Sequence, residues 1–437
     1  MSAFDPKRTF SDGLLPQSAI SSGEVPRDNP ELRSNARSKY RRTVMPSSLP
    51  LLRKTHITTE RPPFERIALV LQGGGALGAY QGGVYQALAE ANLHPDWVAG
   101  ISIGAINSAL IAGNPPEKRV ERLREFWETV SNSPVGIPYF PEVKLEDEFA
   151  HSIVNQLRSF NTLLFGAPGF FKLRQPPPYL YPSMSPVAMS YYDTTPLKAT
   201  LERLVDFDLI NAGATRFSVG TVNVRSGNFI YFDNATDQIG PQHVMASGSL
   251  PSGFPATEIE GEFFWDGGLV SNTPLQWVLD YSPRQDTLVF QLDLWSARGE
   301  LPRDMIEVEL RQKDIRFSSR TRAATDQFKK LQMARRTAAK LLKTLPKDLL
   351  QSPEAEKLAE LADDKVYNLI QLIYRAKNYE GNSKDYEFSR RTMVEHWTAG
   401  YNDAVLTLRY PEVLQRPNGV DGVFTFDLAK QDRGVPG

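Results

Sequence analysis

Two strand–turn–helix units in succession set the tightest limit on how this chain can fold. The apolar run RIALVLQ (66–72) leads through glycines into AYQGGVYQALAEAN, whose apolar residues recur at helical spacing. DWVAGIS followed by IGAINSALIAG repeats the arrangement. Consecutive units of this kind need a parallel sheet with helices packed on its faces, so the spacing predicts an α/β layer. Further strand-like runs, RFSVGTVNV, GNFIYFD and TLVFQLDLW, extend the sheet and place the end of a sheet-centred domain near residue 300.

The segments around this domain read differently. Residues 1–62, rich in Ser, Pro, Asn and Arg and without sustained periodicity, are expected to form a mostly disordered tail. Within the domain (63–300), residues 131–195 form a Pro- and aromatic-rich insertion, a candidate cover that could equally be core packing or a subunit contact. Residues 301–415, including SPEAEKLAELADDKVYNLIQLIYRAK, carry apolar residues at three and four spacing and are expected to be a helical extension, with 416–437 as a tail.

Composition removes several classes of chemistry. The chain has no cysteine, which excludes disulfides, thiolate zinc sites and a cysteine nucleophile. No window approaches the roughly 18 apolar residues of a membrane span, and the first fifteen residues hold no signal-peptide-like run, so a cytoplasmic location is expected. Net charge is −1, but twelve Lys and Arg against Asp314 and Asp326 fall between Arg311 and Lys347. Phe328, Leu331, Ala334, Ala338, Leu341 and Leu342 recur there at helical spacing and form one apolar face. A basic amphipathic helix of this kind suits peripheral contact with an anionic membrane or a lipid-granule surface; no nucleic-acid partner is expected, and the oligomeric state is not specified.

Three motifs carry the chemistry. Gly100-Ile101-Ser102-Ile103-Gly104 is G-x-S-x-G at a strand–helix junction, the turn that presents a serine hydroxyl for attack on a carbonyl. Gly73 to Gly78 fits G-x-G-x-x-G after a strand, a context that suits a dinucleotide or, through the N–H groups of Gly73, Gly74 and Gly75, an oxyanion. A dinucleotide site would want an acidic residue at the end of the next strand, where this chain puts Ser102. Asp266, before Gly267-Gly268, is either a turn or N-cap aspartate or the base that activates Ser102. A carboxylate in an apolar pocket has its pKa raised towards the range in which it accepts a serine proton. Among five histidines, His243 is the one that a conventional triad would use.

These motifs, in this order, resemble the patatin-like phospholipases, and YYDTTPLKATLERLV and MASGSLPSGFPATEIEGEFFWDGGLVSNTPL also look like that family. The resemblance covers roughly residues 65–295, and the part beyond resembles the helical extension of some bacterial members. It implies a three-layer α/β/α sandwich around a mostly parallel sheet. It also implies ester hydrolysis through an acyl-serine and a Ser102–Asp266 dyad, lipid esters as substrates, and no metal or organic cofactor. Leu77 stands where members often carry Arg or Lys, a departure that bears on the phospholipid head group more than on hydrolysis. The rival readings are a non-catalytic lipid-surface or storage-granule binding protein on the same fold and a dinucleotide-binding protein.

Overall fold

The computed structural model describes residues 52–132, 148–183, 186–318, 321–376, 380–381, 383–419 and 421–428. Residues 1–51 of the expected tail, 133–147 of the insertion and 429–437 of the expected C-terminal tail lie outside them. From the rest of the expected tail, the Arg53 N–H donates to the Arg409 carbonyl (2.8 Å) and the Thr58 hydroxyl to the Ala91 carbonyl (2.6 Å).

The first half of the chain gives β1 (Arg66–Leu71), α1 (Ala79–Glu90), β2 (Trp97–Gly100), α2 (Ile103–Ala112), α3 (Arg119–Val130), and, in the insertion, α4 (Glu148–Phe165) with a small hairpin of β3 (Lys172–Leu173) and β4 (Tyr192–Asp193). Then come α5 (Thr195–Leu204), β5 (Arg216–Asn223), β6 (Phe229–Asp233), α6 (Pro241–Ser247), β7 (Thr257–Ile259), β8 (Glu262–Asp266), α7 (Leu275–Asp280) and β9 (Thr287–Asp293). The C-terminal region holds α8 (Met305–Phe317), α9 (Thr321–Leu342), α10 (Pro353–Leu361), β10 (Tyr367–Ile373), α11 (Arg390–Leu408) and β11 (Val423–Phe426).

One sheet runs β11-β10-β9-β1-β2-β5-β8-β7, with β6 on the other edge of β5. The six strands from β11 to β5 are parallel; β6, β7 and β8 are antiparallel additions. Strand alternation sends Ile67, Leu69 and Leu71 into a core with α1, α2, α3 and α11, and Ala68 and Val70 into a second core with α7 and Phe328 of α9. Helices therefore cover both faces, as expected of a three-layer α/β/α sandwich.

The C-terminal region is helical, with two corrections: YNLIQLI is strand β10, which pairs along β9, and VFTF (423–426), within the expected C-terminal tail, is β11 on its far edge. A strand buried on both faces is a continuous apolar run, which spacing alone does not distinguish from a buried helix. The sheet thus continues well past residue 300. α11 packs along α1, where Tyr80 Oη donates to Asp403 Oδ2 (3.0 Å) and Trp397 Nε1 to Gln86 Oε1 (2.8 Å).

The chain proceeds from β1 to β2 on one side and reaches β9 and β10 on the other. The strand order therefore reverses between β1 and β9, and the loops after their carboxyl ends border the crevice where open α/β sheets place ligands.

Candidate active site

Ser102 sits at the turn between β2 and α2 with φ 55° and ψ −123°, a left-handed backbone rare for a residue with a side chain. The turn is tight because α2 starts directly against the end of β1. A Cβ on Gly104 would collide with the Leu71 carbonyl, which explains the second glycine of G-x-S-x-G. The Ser102 N–H donates to Ser247 Oγ (3.0 Å), whose hydroxyl in turn donates to the Gly220 carbonyl (2.7 Å). These bonds tie the strained turn to α6 and β5.

Asp266 closes β8 and is buried. Its Oδ1 accepts the Gly268 N–H (2.7 Å), so it does cap the short turn that follows. The Ser102 side chain faces the same carboxylate and favours its charged form. Burial nevertheless pushes the Asp266 carboxyl up to about 6, against the opposing pull of Ser102 and of the Gly268 N–H. Capping and contact with the serine coexist in one side chain.

The glycine loop borders the same cavity, and a Cβ on Gly73 would come 3.1 Å from Ser102 Cβ. Most of the loop's polar groups are occupied. The Gly73 carbonyl accepts from Asn272 Nδ2 (3.0 Å) and Trp295 Nε1 (2.9 Å), and the Gln72 carbonyl accepts from Gln81 Nε2 (2.8 Å). Gln72 Oε1 accepts the N–H groups of Leu294 (2.6 Å) and Trp295 (3.0 Å). The Gly73 N–H donates to the Asn272 carbonyl (3.2 Å) and the Ala76 N–H to the Asp385 carbonyl (2.7 Å). Among the described residues no acceptor is found for the N–H groups of Gly74 and Gly75. Two free donors beside Ser102 match one developing oxyanion better than an extended pyrophosphate.

The cavity measures about 310 Å³, and most of its wall is apolar. Leu163, Phe170, Phe171 and Tyr192 of the insertion line it, together with Phe254 and, from the C-terminal region, Phe317, Asp385, Tyr386 and Phe388. Phe171 and Phe254 rings lie 5.1 Å apart, and Phe170 and Phe388 rings 5.7 Å apart. The insertion therefore contributes both core packing and cavity wall.

The other candidates lie elsewhere. His243 is in α6 with Nδ1 accepting the Gly240 N–H (2.9 Å) and its ring against Phe232; burial lowers its pKa. It does not line the cavity among the described residues, nor do His56, His94 and His396. Leu77 is fully buried in the core of α1 and α2. Among the described residues no cluster of His, Asp or Glu could hold a metal ion, and no helix is long and apolar enough to cross a membrane. Sequence reasoning missed Gln72, Ser247, Trp295 and Asp385. The available signal for Gln72 and Trp295 was position, immediately beyond buried strands that lead to the site.

Comparison with known proteins agrees with the arrangement of motifs. A 61-residue stretch is 41% identical to a patatin-like phospholipase domain-containing protein of Caenorhabditis elegans; it covers 14% of this chain and spans only 6% of that relative's length. Among solved structures, VipD from Legionella pneumophila aligns at 15% identity and TM-score 0.35 over 89% of this chain and 78% of its own. ExoU from the type III secretion system of Pseudomonas aeruginosa, solved with SpcU, aligns at 16% identity and TM-score 0.26 over 74% and 69%. A model described as patatin-like phospholipase matches residues 69–279, the span that holds the glycine loop, Ser102 and Asp266. A second, described as patatin phospholipase, matches residues 315–419, the part that completes the cavity wall. With residues 69–279 and 315–419 both matched, the chain belongs to the patatin-like phospholipase family.

Proposed function

We propose that this protein is a serine acyl hydrolase that cleaves carboxylic esters of lipids with a Ser102–Asp266 dyad. The observation that carries the reading is that Ser102 and a buried Asp266 carboxyl, pushed up to about 6, share the wall of one apolar cavity. Ser102 Oγ attacks the ester carbonyl carbon while Asp266 takes the hydroxyl proton. The oxyanion is received by N–H groups of the glycine loop, for which the motif offers Gly73, Gly74 and Gly75. Gly73 is already donating to Asn272, so Gly74 and Gly75 carry that role. As the tetrahedral intermediate collapses, Asp266 returns the proton to the departing alcohol oxygen and the acyl group stays on Ser102. Water then attacks the acyl carbon, its proton passing to Asp266, and release of the acid restores the serine. These side chains and backbone groups balance every step without a cofactor.

The apolar, aromatic-lined cavity suits an acyl chain. We further propose that the outer, basic side of α9 meets an anionic lipid surface. Phe328 and Ala338 are buried, so the helix docks on the protein through the side that carries them, and Lys330, Lys340 and, just beyond the helix, Lys343 remain outside.

The deciding experiment is a hydrolysis screen across p-nitrophenyl esters, phospholipids, monoacylglycerols and hydroxyalkanoate oligomers, with Ser102→Ala as control and fluorophosphonate labelling alongside. The expected result is at least one ester cleaved by wild type only, with label on Ser102. Turnover that survives Ser102→Ala, or the absence of label on wild type, overturns the proposal.

A further inference from the structure

The loop that bears Gly74 and Gly75 is pressed from outside by a segment from the far end of the chain. Residues 383–388 cross it so closely that a Cβ on Gly75, whose φ is +56°, would collide with the Asp385 carbonyl oxygen. That same carbonyl accepts the Ala76 N–H (2.7 Å). Two adjacent residues of the segment pair crosswise with two adjacent residues of α8. Lys384 Nζ lies 2.7 Å from Asp314 Oδ1, and Lys313 Nζ 2.5 Å from Asp385 Oδ1. The Lys384 side chain is only 4% exposed and the Asp314 side chain 17%, so loss of either partner would strand a charge in a largely desolvated place.

Both ammonium groups also face the Trp295 ring, Lys384 at 4.9 Å and Lys313 at 5.8 Å from its centroid. The indole N–H of Trp295 donates to the Gly73 carbonyl. The ion pairs thus reach the loop by two routes, through the Asp385 carbonyl to Ala76 and through Trp295 to Gly73. Gly74 and Gly75 lie between those two anchor points.

We infer that residues 383–388 are a strap that sets the oxyanion-binding loop, and that Lys384 and Asp314 are positioning residues that hold the strap to α8. The inference rests on the acyl-hydrolase reading of the site. The strap acts on the direction of the Gly74 and Gly75 N–H groups, which matters when charge develops on the substrate oxygen. Its loosening therefore lowers kcat and leaves KM nearly unchanged.

The test uses the full-length chain and a soluble p-nitrophenyl ester, with melting curves to confirm folding. Lys384→Met and Asp314→Asn should each lower kcat about 10-fold or more, with KM within about 3-fold, since small misplacement of catalytic groups costs rates of that order. Lys384→Asp and Asp314→Lys should each do at least as much. The double variant with the charges exchanged should recover about 10-fold over either reversal, which a merely structural role for each side chain would not produce. Hydrogen exchange at the Ala76 amide reads the strap without turnover. It should speed up about 10-fold in Lys384→Met while amides in the middle of α1 keep their wild-type rates. Unchanged kcat and unchanged Ala76 exchange in the folded neutral variants, or no recovery in the exchanged double, overturn the strap. If wild type shows no Ser102-dependent turnover, the acyl-hydrolase reading fails instead, and Ala76 exchange decides whether the strap holds the loop.

Discussion

Ser102 and Asp266 meet because β2 and β8 occupy the same edge of β5 in succession. Gly100, the last residue of β2, lies opposite Val219, and Asp266, the last of β8, lies opposite Thr221 two residues further along β5. β6 pairs Val219 and Thr221 on the other edge, which leaves one edge for both β2 and β8. The parallel strand delivers Ser102, stops, and the antiparallel strand brings Asp266 into the vacated position. Ladder register therefore fixes the spacing of the two groups before any side chain is chosen.

If these groups act as one unit, Ser102→Ala and Asp266→Asn will each lower kcat by about 10³ or more on the best ester substrate, and the double variant will cost little beyond either. Steady-state kinetics with melting curves check this. Near-normal turnover in Asp266→Asn would exclude the dyad.

The raised pKa of Asp266 gives the pH profile its sign. If Asp266 is the base, it works only as a carboxylate, so kcat/KM should fall as pH drops through about 6 and level off above it. An acid limb centred near 4, the ordinary aspartate range, would mean that the titrating group is a different one.

The same shift acts on stability in the opposite direction from most carboxylates. Its pKa is about 6 in the folded chain against 3.8 as the reference, so the native state holds the proton more tightly and loses stability as pH rises through the folded value. At pH 8 the cost of ionising the buried group is of order 3 kcal/mol. Asp266→Asn, whose amide oxygen can still accept the Gly268 N–H, should melt higher than wild type at pH 8, with the difference fading by about pH 4. Equal melting temperatures of the two proteins at pH 8 would show that the carboxylate is not strained by burial.

Gly74→Ala tests the loop directly. Its added Cβ would come 2.8 Å from Leu294 Cδ1 and 3.1 Å from Trp295 Nε1, so the loop must shift although no donor is removed. The expected result is a loss of about 10² in kcat with a smaller change in KM. A change confined to KM would place the glycine in ground-state binding.

How far the sequence disclosed this molecule depended on the range of the contact concerned. Ser102, Asp266 and the glycines were legible because each sits in a short motif whose local backbone requirement is visible in the residues themselves. Ser247, Trp295 and Asp385 were not, because their roles exist only where distant segments cross, and a side chain on Ser247 carries no mark that its acceptor holds the Ser102 N–H. β10 was hidden by being buried on both faces. α9 was read as a helix, yet its inward face is Thr325, Phe328, Gln332, Arg335 and Ala338, while Ala334 and Leu341 point outward. Spacing of apolar residues does not reveal that Gln332 finds partners in the Asp363 carboxylate (3.0 Å) and the Lys365 carbonyl (2.9 Å), which let a polar side chain occupy the inner face.

That rotation decides which charges can test contact with a lipid surface. Arg336 donates to the Asp364 carbonyl (2.7 Å) and Lys329 is half-buried with its pKa lowered by burial, so changing either would disturb packing as well as charge. Lys330 and Lys340 of α9 are exposed, as is Lys347 in the short helical turn (Lys347–Leu350) that follows it, and the three suit the purpose. Each basic residue near an anionic bilayer contributes about 1 kcal/mol, so changing all three to Glu should weaken binding to anionic vesicles by roughly 10² or more if α9 faces the surface. The loss should shrink as salt is raised, because the attraction is screened within about 10 Å at 0.1 M. Hydrolysis of a short soluble ester should stay at the wild-type rate, since these lysines are absent from the cavity wall among the described residues. Sedimentation with vesicles at two salt concentrations measures the effect, and equal binding of wild type and triple variant at low salt would leave α9 as a helix that only covers the sheet.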